Sequence, residues 1–387
     1  MPPSHDYIIT GGGCAGLSLI MHILQEPALS GKTILLIDQD AKKSNDRTWC
    51  YWESGEGFFD GIVHRQWSQA WFHANGFSAL KQLGSYRYKM IRGIDFYEHC
   101  HLVIAASGRV DRLQAEVTAV SNTPGGVVVE ADGKSYAGLY LFNSILFPEN
   151  QIPAGAYNLL QHFKGWVVET DEPVFDPACP TLMDFRVDQQ HGTTFVYVMP
   201  FSANRALVEY TLFTPALLDD AAYNSGLSNY MEQYLKIKDY RIVEEEFGVI
   251  PMTNHVFSPG EGNVVNIGTA GGQTKPSSGY TFRFIQKHTA AIVQALVHSA
   301  HPLIPKKKFE KRFFWYDKVL LHLLYFKKMA GSRIFHLLFS RNPIQRIFRF
   351  LDNETKIHEE VILMNTLPQW PFMKAGWKEL FKQKPGA

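Results

Sequence analysis

The glycine-rich stretch near the N-terminus has the residue types and the spacing that suit dinucleotide binding. Gly11, Gly13 and Gly16 form a GxGxxG pattern between a predicted buried strand at residues 6–10 and a predicted helix. Such a turn brings backbone N–H groups close to a pyrophosphate and packs the helix against the strand. A second predicted strand ends about 20 residues later at Asp38, whose carboxylate suits a ribose hydroxyl. The unit predicts a dinucleotide site, and a merely structural glycine turn is the alternative.

A second glycine-rich turn is predicted before a helix near Gly279. A buried strand at residues 263–268 leads into TAGGQTKPSSGYTF, and the helix follows. The first N–H groups of a helix have no partner within the helix, so they are free to bind a polar or anionic group. The turn therefore predicts a second cluster of backbone donors.

The elements between these two turns do not continue the βα repeat of a simple nicotinamide dehydrogenase. Residues 94–106 predict a helix, and short alternating segments with a Pro-Gly-Gly turn follow it. Residues 194–199 and 205–213 then predict a hairpin. Pro215 suits the first turn of a helix through residues 216–236. The middle of the chain is therefore predicted to be rich in β-structure.

The composition predicts a large folded protein and excludes several classes of function. The 387 residues are 45% hydrophobic, and 38 Lys and Arg nearly balance 37 Asp and Glu, so bulk charge does not favour nucleic acid. The 4 cysteines lack CxxC spacing and the 15 histidines lack HxxxH spacing, which predicts a reducing compartment and no metal site. We recognise no secretory signal and no run long enough to span a membrane, so we expect an intracellular protein.

Charge is unevenly distributed along the chain. Residues 301–387 hold 17 Lys and Arg against 7 Asp and Glu, a net charge of +10, and the preceding residues carry −9. Bulky apolar residues recur at helical spacing among these charges, so we predict amphipathic helices with a basic face. Three interpretations are open: helices packed on the protein, attachment of residues 301–350 to an anionic membrane surface, and, least favoured, nucleic-acid binding.

Six stretches, by their common order and spacing, resemble the bacterial branch of the flavin-dependent lycopene cyclase family. The resemblance covers most of the chain, from about residue 6 to 296. The stretches are DYIITGGGCAGLSL at 6–19, NDRTWCYWE at 45–53, PTLMDFR at 180–186, MPFSANRALVEYTLF at 199–213, EEFGVIPM at 245–252 and GGQTKPSSGYTF at 271–282.

The resemblance implies an α/β fold with a Rossmann-like FAD-binding domain of the flavin hydroxylase and geranylgeranyl reductase type. An antiparallel β substrate domain and a helical C-terminus would complete the chain. The expected boundaries are 1–60, 85–150 and 255–300 for a discontinuous FAD domain, 61–84 and 151–254 for the substrate domain, and 301–387 for a basic, amphipathic helical region.

The resemblance also implies which residues hold FAD. The ADP half is expected at the glycine-rich turn and at the acid after the second strand, namely Gly11, Gly13, Gly16 and Asp38. Gly279 and its neighbours would place helix N-terminal amides near the flavin ring or its chain. Arg47 matches an Arg of the family and is assigned to the cofactor, with a surface loop position as the alternative. Gly268 is followed by Thr269, where the hydroxylase relatives usually carry Asp, and this difference favours the cyclase branch.

The activity implied by the resemblance is that of a lycopene β-cyclase, an isomerase of the intramolecular lyase type. A proton adds to the terminal double bond of lycopene, the neighbouring double bond attacks the cation, and a ring proton leaves, which gives γ- and β-carotene without net oxidation. This chemistry needs a carboxylic acid kept protonated in an apolar pocket. Glu209 matches the essential acid of the family and lies in an apolar strand. Glu246 is a second candidate, which would orient the reacting groups or relay a proton. For Glu209 and Glu246 alike, the alternative is a solvent-facing position on a strand.

The resemblance implies reduced FAD as the cofactor, and this agrees with the chemistry, since an anionic flavin would stabilise cations without being consumed. The resemblance suggests NADPH as the source of electrons. Asp184 and Arg186 are expected to form an ion pair that is more structural than catalytic. Because a C40 hydrocarbon is confined to lipid, the expected partners are lycopene and a membrane surface, with the protein attached peripherally to the inner face of the cell membrane.

Two other classes of function remain open from the sequence. A flavin-dependent reductase or epoxidase of an isoprenoid would change the mass of its product and depend little on Glu209. A catalytically silent carotenoid- or flavin-binding protein would give no product. The number of rings closed and the ring type are not decided by the sequence.

Overall fold

The computed structural model describes residues 4–147, 152–153, 155–304 and 308–381. Its helices are α1 (Cys14–Gln25), α2 (Gly93–Ser107), α3 (Asp220–Tyr230), α4 (Phe282–Val297), α5 (Lys308–Tyr325), α6 (Gly331–Arg341), α7 (Ile344–Leu351), α8 (Ile357–Met364) and α9 (Gln369–Phe381). Its strands are β1 (His5–Thr10), β2 (Ile34–Asp38), β3 (Thr48–Ser54), β4 (Arg65–Trp67), β5 (Gln69–Ala74), β6 (Phe77–Gln82), β7 (Tyr86–Arg92), β8 (Val110–Gln114), β9 (Val117–Thr123), β10 (Gly126–Ala131), β11 (Lys134–Asn143), β12 (Asn158–Glu169), β13 (Thr181–Asp184), β14 (Thr193–Pro200), β15 (Arg205–Thr214), β16 (Arg241–Thr253), β17 (Gly260–Glu261) and β18 (Val264–Asn266).

The first sheet positions the N-terminal glycine-rich turn. Its order is β17-β18-β11-β1-β2-β8, with β1 parallel to β2 and β11, and the β9–β10 hairpin extends from β11. Strand β1 has apolar residues on both faces: Ile8 packs with the β9–β10 hairpin, and Ile9 packs with α1 and α4. Burial on both faces explains the continuous apolar run of its sequence. The turn after β1 therefore lies at the carboxyl edge of parallel strands, where such folds bind ligands.

A second sheet of seven strands has the order β16-β12-β15-β14-β13-β5-β6. Neighbouring strands are antiparallel except for the pair β13 and β5. Successive residues of a strand point to opposite faces, and here Val196 and Val208 pack against α3, whereas Phe195 and Phe213 belong to the core shared with α6. One face of the sheet is therefore closed by α3, and the other faces the C-terminal helices and the cavity described below.

A small third sheet, β3-β7-β4, connects the two cores. Tyr51 on β3 stacks on Phe282 of α4 with ring centroids 4.4 Å apart. Its neighbour Trp52 points the opposite way and stacks on Phe348 of α7, also at 4.4 Å. Strand β3 therefore joins the core of the first sheet to the core beneath the C-terminal helices.

Most local predictions agree with the structure, and one was wrong. The helix predicted at residues 94–106 is α2, and the predicted hairpin is β14 with β15. Pro215, however, does not start a helix. The following helix, α3, begins after Asp219, which accepts a hydrogen bond from the backbone N–H of Ala222 at 2.7 Å. An Asp cap outweighs the preference of proline for a first turn here. The division into FAD and substrate domains stays a prediction.

The basic C-terminal region is helical, and much of its apolar surface is buried. Phe335 and Phe339 of α6, and Ile347 and Phe348 of α7, are almost fully buried in the same core as the antiparallel sheet. The interpretation as helices packed on the protein is therefore confirmed for α6 and α7. Among the described residues, no helix has the length and apolar character needed to span a bilayer.

Candidate active site

The N-terminal turn has backbone geometry that requires glycine. Gly11 has a φ of 93°, and a Cβ at this position would overlap the hydroxyl of Ser144. A Cβ at Gly16 would overlap the carbonyl oxygen of Gly11, so this glycine lets α1 approach the turn closely. A Cβ at Gly13, in contrast, would meet no atom within 4 Å. This side of the turn therefore faces open space.

The N-terminus of α1 is suited to an anion. Gly13 is the N-cap and gives no side-chain hydrogen bond, and the first turn contains no acidic residue. Uncapped N–H groups and the helix dipole both favour negative charge at this point. Asp38 accepts hydrogen bonds from the backbone N–H groups of Gly12 and of Asp40, the latter at 2.7 Å. The residues fit the pyrophosphate of a dinucleotide, and in this structure Asp38 also fixes the turn that would hold it.

A cavity of about 320 Å³ extends from this turn to the antiparallel sheet. It brings together predicted site residues from distant parts of the chain, namely Gly13, Arg47, Glu209 and Gly279. Three others shape the turn without lining the cavity, namely Gly11, Gly16 and Asp38. The remaining one, Glu246, lies beside Glu209. The structure thus places the predicted cofactor and catalytic residues around one space.

The second glycine-rich turn borders the same cavity at the start of α4. Gly279 has a φ of 69°, and a Cβ there would overlap the side chain of Gln161. The N-cap of α4, Thr281, donates its hydroxyl to the carbonyl oxygen of Gly279 at 2.8 Å and makes no capping hydrogen bond to the helix, so a second helix N-terminus is uncapped. Lys275 holds the turn from behind, because its Nζ lies 3.0 Å from a carboxylate oxygen of Asp317 on α5. Ser277 donates to the same carboxylate at 2.6 Å.

Arg47 lines the cavity but is also partly exposed. Its guanidinium lies 3.1 Å from the carboxylate of Asp46, in an ion pair near the surface. The position therefore combines features of both interpretations of this residue, the cofactor contact and the surface loop. The next residue, Thr48, points inward to the acidic groups.

Glu209 and Glu246 flank Gly165 in the antiparallel sheet. Gly165 on β12 pairs with Glu209 on β15 and with Glu246 on β16, so the three residues form one row across the sheet and share a face. A Cβ at Gly165 would lie only 2.9 Å from Cγ of Glu246. The absent side chain leaves the space in which the two carboxyl groups meet. Both point into the protein, so a solvent-facing strand position does not apply to either.

Burial and proximity raise the pKa of both carboxyl groups. Burial raises the pKa of Glu209 well above its usual value, and the nearby charge of Glu246 raises it further. A hydrogen bond of 2.8 Å donated by Thr211 acts in the opposite direction and lowers this pKa. Burial also raises the pKa of Glu246, opposed by the hydroxyl of Thr48, which donates to Oε2 at 2.8 Å, and by a hydrogen bond with Glu209. The buried Oε1 of Glu246 has no donor among the described residues unless Glu209 is protonated. The geometry favours one proton shared by the pair and carried by Glu209.

Three residues of this arrangement were missed in the sequence. Gly165 had a usable signal, since an isolated glycine inside a strand often marks a close approach of other groups. Thr211 lies two residues after Glu209 on the same strand, so it shares its face. Thr48 follows Arg47 directly but comes from a different sheet, and no local pattern connects it with Glu246.

The wall around Glu209 is apolar and aromatic. Tyr88, Tyr197, Met199 and Leu207 line the cavity on this side. Burial raises the pKa of both tyrosines far above the usual value, so both remain neutral phenols at any physiological pH. Aromatic faces attract cations, and an apolar wall keeps water from a reactive carbon centre. The cavity therefore combines a buried acid with an environment that suits a carbocation.

Asp184 and Arg186 lie outside this cavity. Nε of Arg186 donates to Oδ1 of Asp184 at 2.9 Å, and the hydroxyl of Tyr230 donates to Oδ2, also at 2.9 Å. The backbone N–H of Arg186 binds the same carboxylate, so the pair closes a turn instead of lying along a strand. The structural ion pair is confirmed. Within the described residues, no group of His, Cys, Asp and Glu is arranged to hold a metal ion.

Comparison with known proteins identifies similar chains over nearly the whole length. The family model described as "Lycopene cyclase protein" matches residues 6–376. The chain is 25% identical to a lycopene beta-cyclase of Pantoea ananas, with 97% of this chain and 98% of the relative covered. It is 24% identical to a lycopene beta-cyclase of a Paracoccus species, with 95% of each covered.

Solved structures with a similar fold include a reductase-like protein and a monooxygenase. A geranylgeranyl bacteriochlorophyll reductase-like protein of Thermoplasma acidophilum has a TM-score of 0.58 at 13% identity, with 99% of this chain and 97% of that chain covered. A p-nitrophenol 4-monooxygenase of Pseudomonas putida has a TM-score of 0.59 at 13% identity, with 96% and 99% covered. The α/β fold of the flavin hydroxylase and geranylgeranyl reductase type, with a helical C-terminus, is therefore confirmed.

Proposed function

Because this chain belongs to the lycopene cyclase protein family, we propose that it is a lycopene β-cyclase of carotenoid biosynthesis. The proposed reaction converts the acyclic end groups of lycopene into β-ionone rings, with γ-carotene and then β-carotene as products. It is an isomerisation of the intramolecular lyase type. The two curated relatives that match over nearly their whole length carry this name.

The observation that carries the proposal is the carboxyl pair of Glu209 and Glu246 at the wall of an apolar cavity. A protonated carboxyl group beside neutral aromatic rings suits the transfer of a proton to an alkene. The same cavity is bordered by two uncapped helix N-termini, at α1 and α4, as expected for a bound dinucleotide. Acid and cofactor site therefore face one space.

The residues present fit FAD. The open side of Gly13 and the uncapped start of α1 would hold the pyrophosphate, and Arg47 at the cavity wall would contact the cofactor. The turn at Gly279 would face the flavin or its chain. When bound and reduced, FAD would supply negative charge beside the substrate without being consumed. We propose NADPH as the reductant.

In the proposed mechanism, Glu209 donates its proton to the terminal double bond of lycopene. The charge of Glu246 and its hydrogen bond with Glu209 both raise the pKa of Glu209, so they favour keeping that proton on Glu209. After the transfer, two neighbouring carboxylates repel each other, so Glu209 recovers a proton readily, and we assign it the proton released from the ring. One proton is added and one is lost, so the product has the mass of the substrate.

The substrate determines where the enzyme works. Lycopene is a hydrocarbon and partitions into lipid, so we propose that the protein takes it from a membrane and is attached peripherally to the inner face of the cell membrane. Tyr88, Tyr197, Met199 and Leu207 would contact the end group of the polyene in the cavity.

The test is incubation of the purified protein with lycopene in liposomes under anaerobic conditions, with FAD reduced in one sample and oxidised in the other. We expect an isomer of unchanged mass and shorter-wavelength absorption with reduced FAD only, and none with Glu209→Gln. A product two hydrogens or one oxygen heavier would show instead a reductase or epoxidase on this fold. Unchanged lycopene in both samples, with FAD bound, would contradict the cyclase proposal.

A further inference from the structure

The last helix, α9, presents an unusual row of large apolar side chains to solvent. Trp370 is 74% exposed, Trp377 62% and Phe381 72%. Met373 and Leu380 are also more than half exposed. The positions follow the spacing i, i+3, i+7, i+10 and i+11, so they form one stripe along the helix, about 16 Å in length. A contiguous exposed apolar stripe of this kind usually marks an interaction surface.

The opposite side of α9 is firmly packed on α5, so the stripe belongs to an ordered surface. A Cβ at Gly376 would contact the ring of Trp315, which shows how closely the two helices approach. Glu379 is almost fully buried and accepts a hydrogen bond from the hydroxyl of Tyr157 at 2.5 Å. His322 of α5 lies 2.9 Å from the same carboxylate oxygen. These polar contacts fix the rotation of α9 and therefore the direction of the stripe.

The charges that border this surface are positive. Lys374 and Lys378 lie along one edge of the stripe on the helical wheel, and neither forms an ion pair with a described residue. The adjoining end of α5 adds the exposed ring of Phe326. This ring contacts the ring of Tyr157, whose hydroxyl also binds Glu379 of α9. Two further lysines, at positions 327 and 328, follow that ring directly. The neighbouring C-terminal ends of α5 and α9 thus combine apolar side chains with basic ones.

We propose that this surface, the apolar stripe of α9 with Lys374 and Lys378, docks the protein on an anionic lipid membrane. The proposal rests on the proposed function, because it identifies the surface through which an enzyme acting on a lipid-soluble polyene contacts the bilayer. Tryptophan prefers the boundary between head groups and acyl chains, and an amphipathic helix with basic residues beside its apolar face lies in that boundary. Lysines near the membrane surface add attraction to anionic head groups.

The proposal moves most of the membrane contact that the sequence analysis assigned to residues 301–350 to α9, and from that range it keeps only the exposed end of α5 at residues 326–328. The apolar faces of α6 and α7 lie in the core and have no surface to offer to lipid. The side chains on α9 have such a surface, and they lie after residue 350. A partner protein or a second copy of the chain would cover an apolar stripe equally well, but the unpaired lysines along its edge favour the anionic surface.

The experiment measures co-sedimentation of the full chain with vesicles of phosphatidylcholine alone and of phosphatidylcholine mixed with phosphatidylglycerol. We expect binding to the anionic vesicles that weakens as salt is added. The double variant Trp377→Glu and Leu380→Glu should lower partitioning at least about tenfold. Replacement of Lys374 and Lys378 by Gln should lower it about fivefold per lysine on anionic vesicles only. The matched control is Leu102→Glu, at an apolar residue of α2 that is 72% exposed and distant in sequence.

Flavin binding and thermal unfolding verify that each variant folds. Equal binding of all variants to vesicles, or loss of binding in the Leu102→Glu control alone, would overturn the assignment of this surface. A lipid-free dimer that Trp377→Glu dissociates, with no vesicle binding, would identify a second copy of the chain as the occupant. Failure here is distinguishable from failure of the proposed function, because vesicle binding needs no lycopene and cyclisation can be assayed in detergent.

Discussion

Substitution of Gly165 by alanine tests whether the two carboxyl groups act as a pair. The new Cβ would lie 2.9 Å from Cγ of Glu246 and 2.9 Å from Cδ1 of Leu207. Carbon atoms normally pack at about 3.5–4.0 Å, so the Glu246 side chain must withdraw by roughly 0.6 Å or more. Leu207 is 2% exposed and has little freedom to yield. We therefore expect the glutamate to move and the carboxyl pair to separate.

Two effects should follow from this separation. Displacement of a catalytic group by about 1 Å can cost a hundredfold in rate, so for a shift of roughly 0.6 Å or more we expect Gly165→Ala to cyclise lycopene about ten to a hundred times more slowly. The charge of Glu246 raises the pKa of Glu209, so its retreat should lower that pKa. Because the proposed mechanism uses the protonated form of Glu209, the rate should then begin to fall at a lower pH than in the unsubstituted enzyme. Overpacking should also destabilise the fold by about 1–3 kcal/mol.

The assay is the rate of β-carotene formation per folded enzyme across pH, with folding measured by denaturant titration. The matched control is Gly226→Ala on α3, where a Cβ would lie 2.7 Å from the ring of Tyr210 on the far face of the same sheet. We expect a comparable loss of stability there and an unchanged pH profile. If Gly165→Ala retains both the rate and the position of the alkaline limb, the two carboxyl groups do not act together and the reasoning is refuted.

Three further substitutions probe the carboxyl pair, its hydrogen bond from Thr48 and the turn at Gly279. Glu246→Gln removes the charge that raises the pKa of Glu209, so the alkaline limb of the rate should move to lower pH, and an unmoved limb would exclude the coupling. Thr48→Val removes the hydroxyl that donates to Glu246, so the pKa of Glu246 should rise. The lost hydrogen bond should lower the free energy of unfolding by about 1–3 kcal/mol, and an unaltered denaturation midpoint would argue against this hydrogen bond. Asp317→Asn leaves the buried ammonium group of Lys275 without its carboxylate partner. FAD titration should therefore show weaker binding, and the melting temperature should fall. The control Asp188→Asn, in an exposed loop, should change neither.

The sequence predicted the parts of this molecule that are local. A GxGxxG turn after a buried strand is specified within a few residues, and the N-terminal turn at Gly11 is found as expected. Glu209 was assigned because it matches the essential acid of the family that the chain resembles, and its position in an apolar strand agrees with such a use. Its pairing with Glu246 was not predicted, because it depends on the register of three strands and on a missing side chain at Gly165. Contacts between distant segments of this kind leave no periodic pattern in either segment.

The C-terminal helices also show that contacts between distant segments cannot be predicted from local sequence. Composition identified a basic, apolar region but did not decide which apolar residues face the core. The structure separates them: Phe339 of α6 is buried against the antiparallel sheet, whereas Trp377 of α9 is mostly exposed. Only the position of each helix on its neighbours decides between core and surface.

Helix α5 connects the proposed membrane surface with the proposed cofactor site. On one side, His322 contacts Glu379 and so helps to orient α9. Earlier on the same helix, Asp317 binds Lys275 and Ser277, which hold the turn that ends at the cavity. Both contacts are buried ion pairs or hydrogen bonds, so breaking either would leave uncompensated polar groups inside the protein. The C-terminal helices therefore form part of the framework of the candidate active site, and a shortened chain lacking α5 to α9 should lose cofactor binding as well as the proposed membrane attachment.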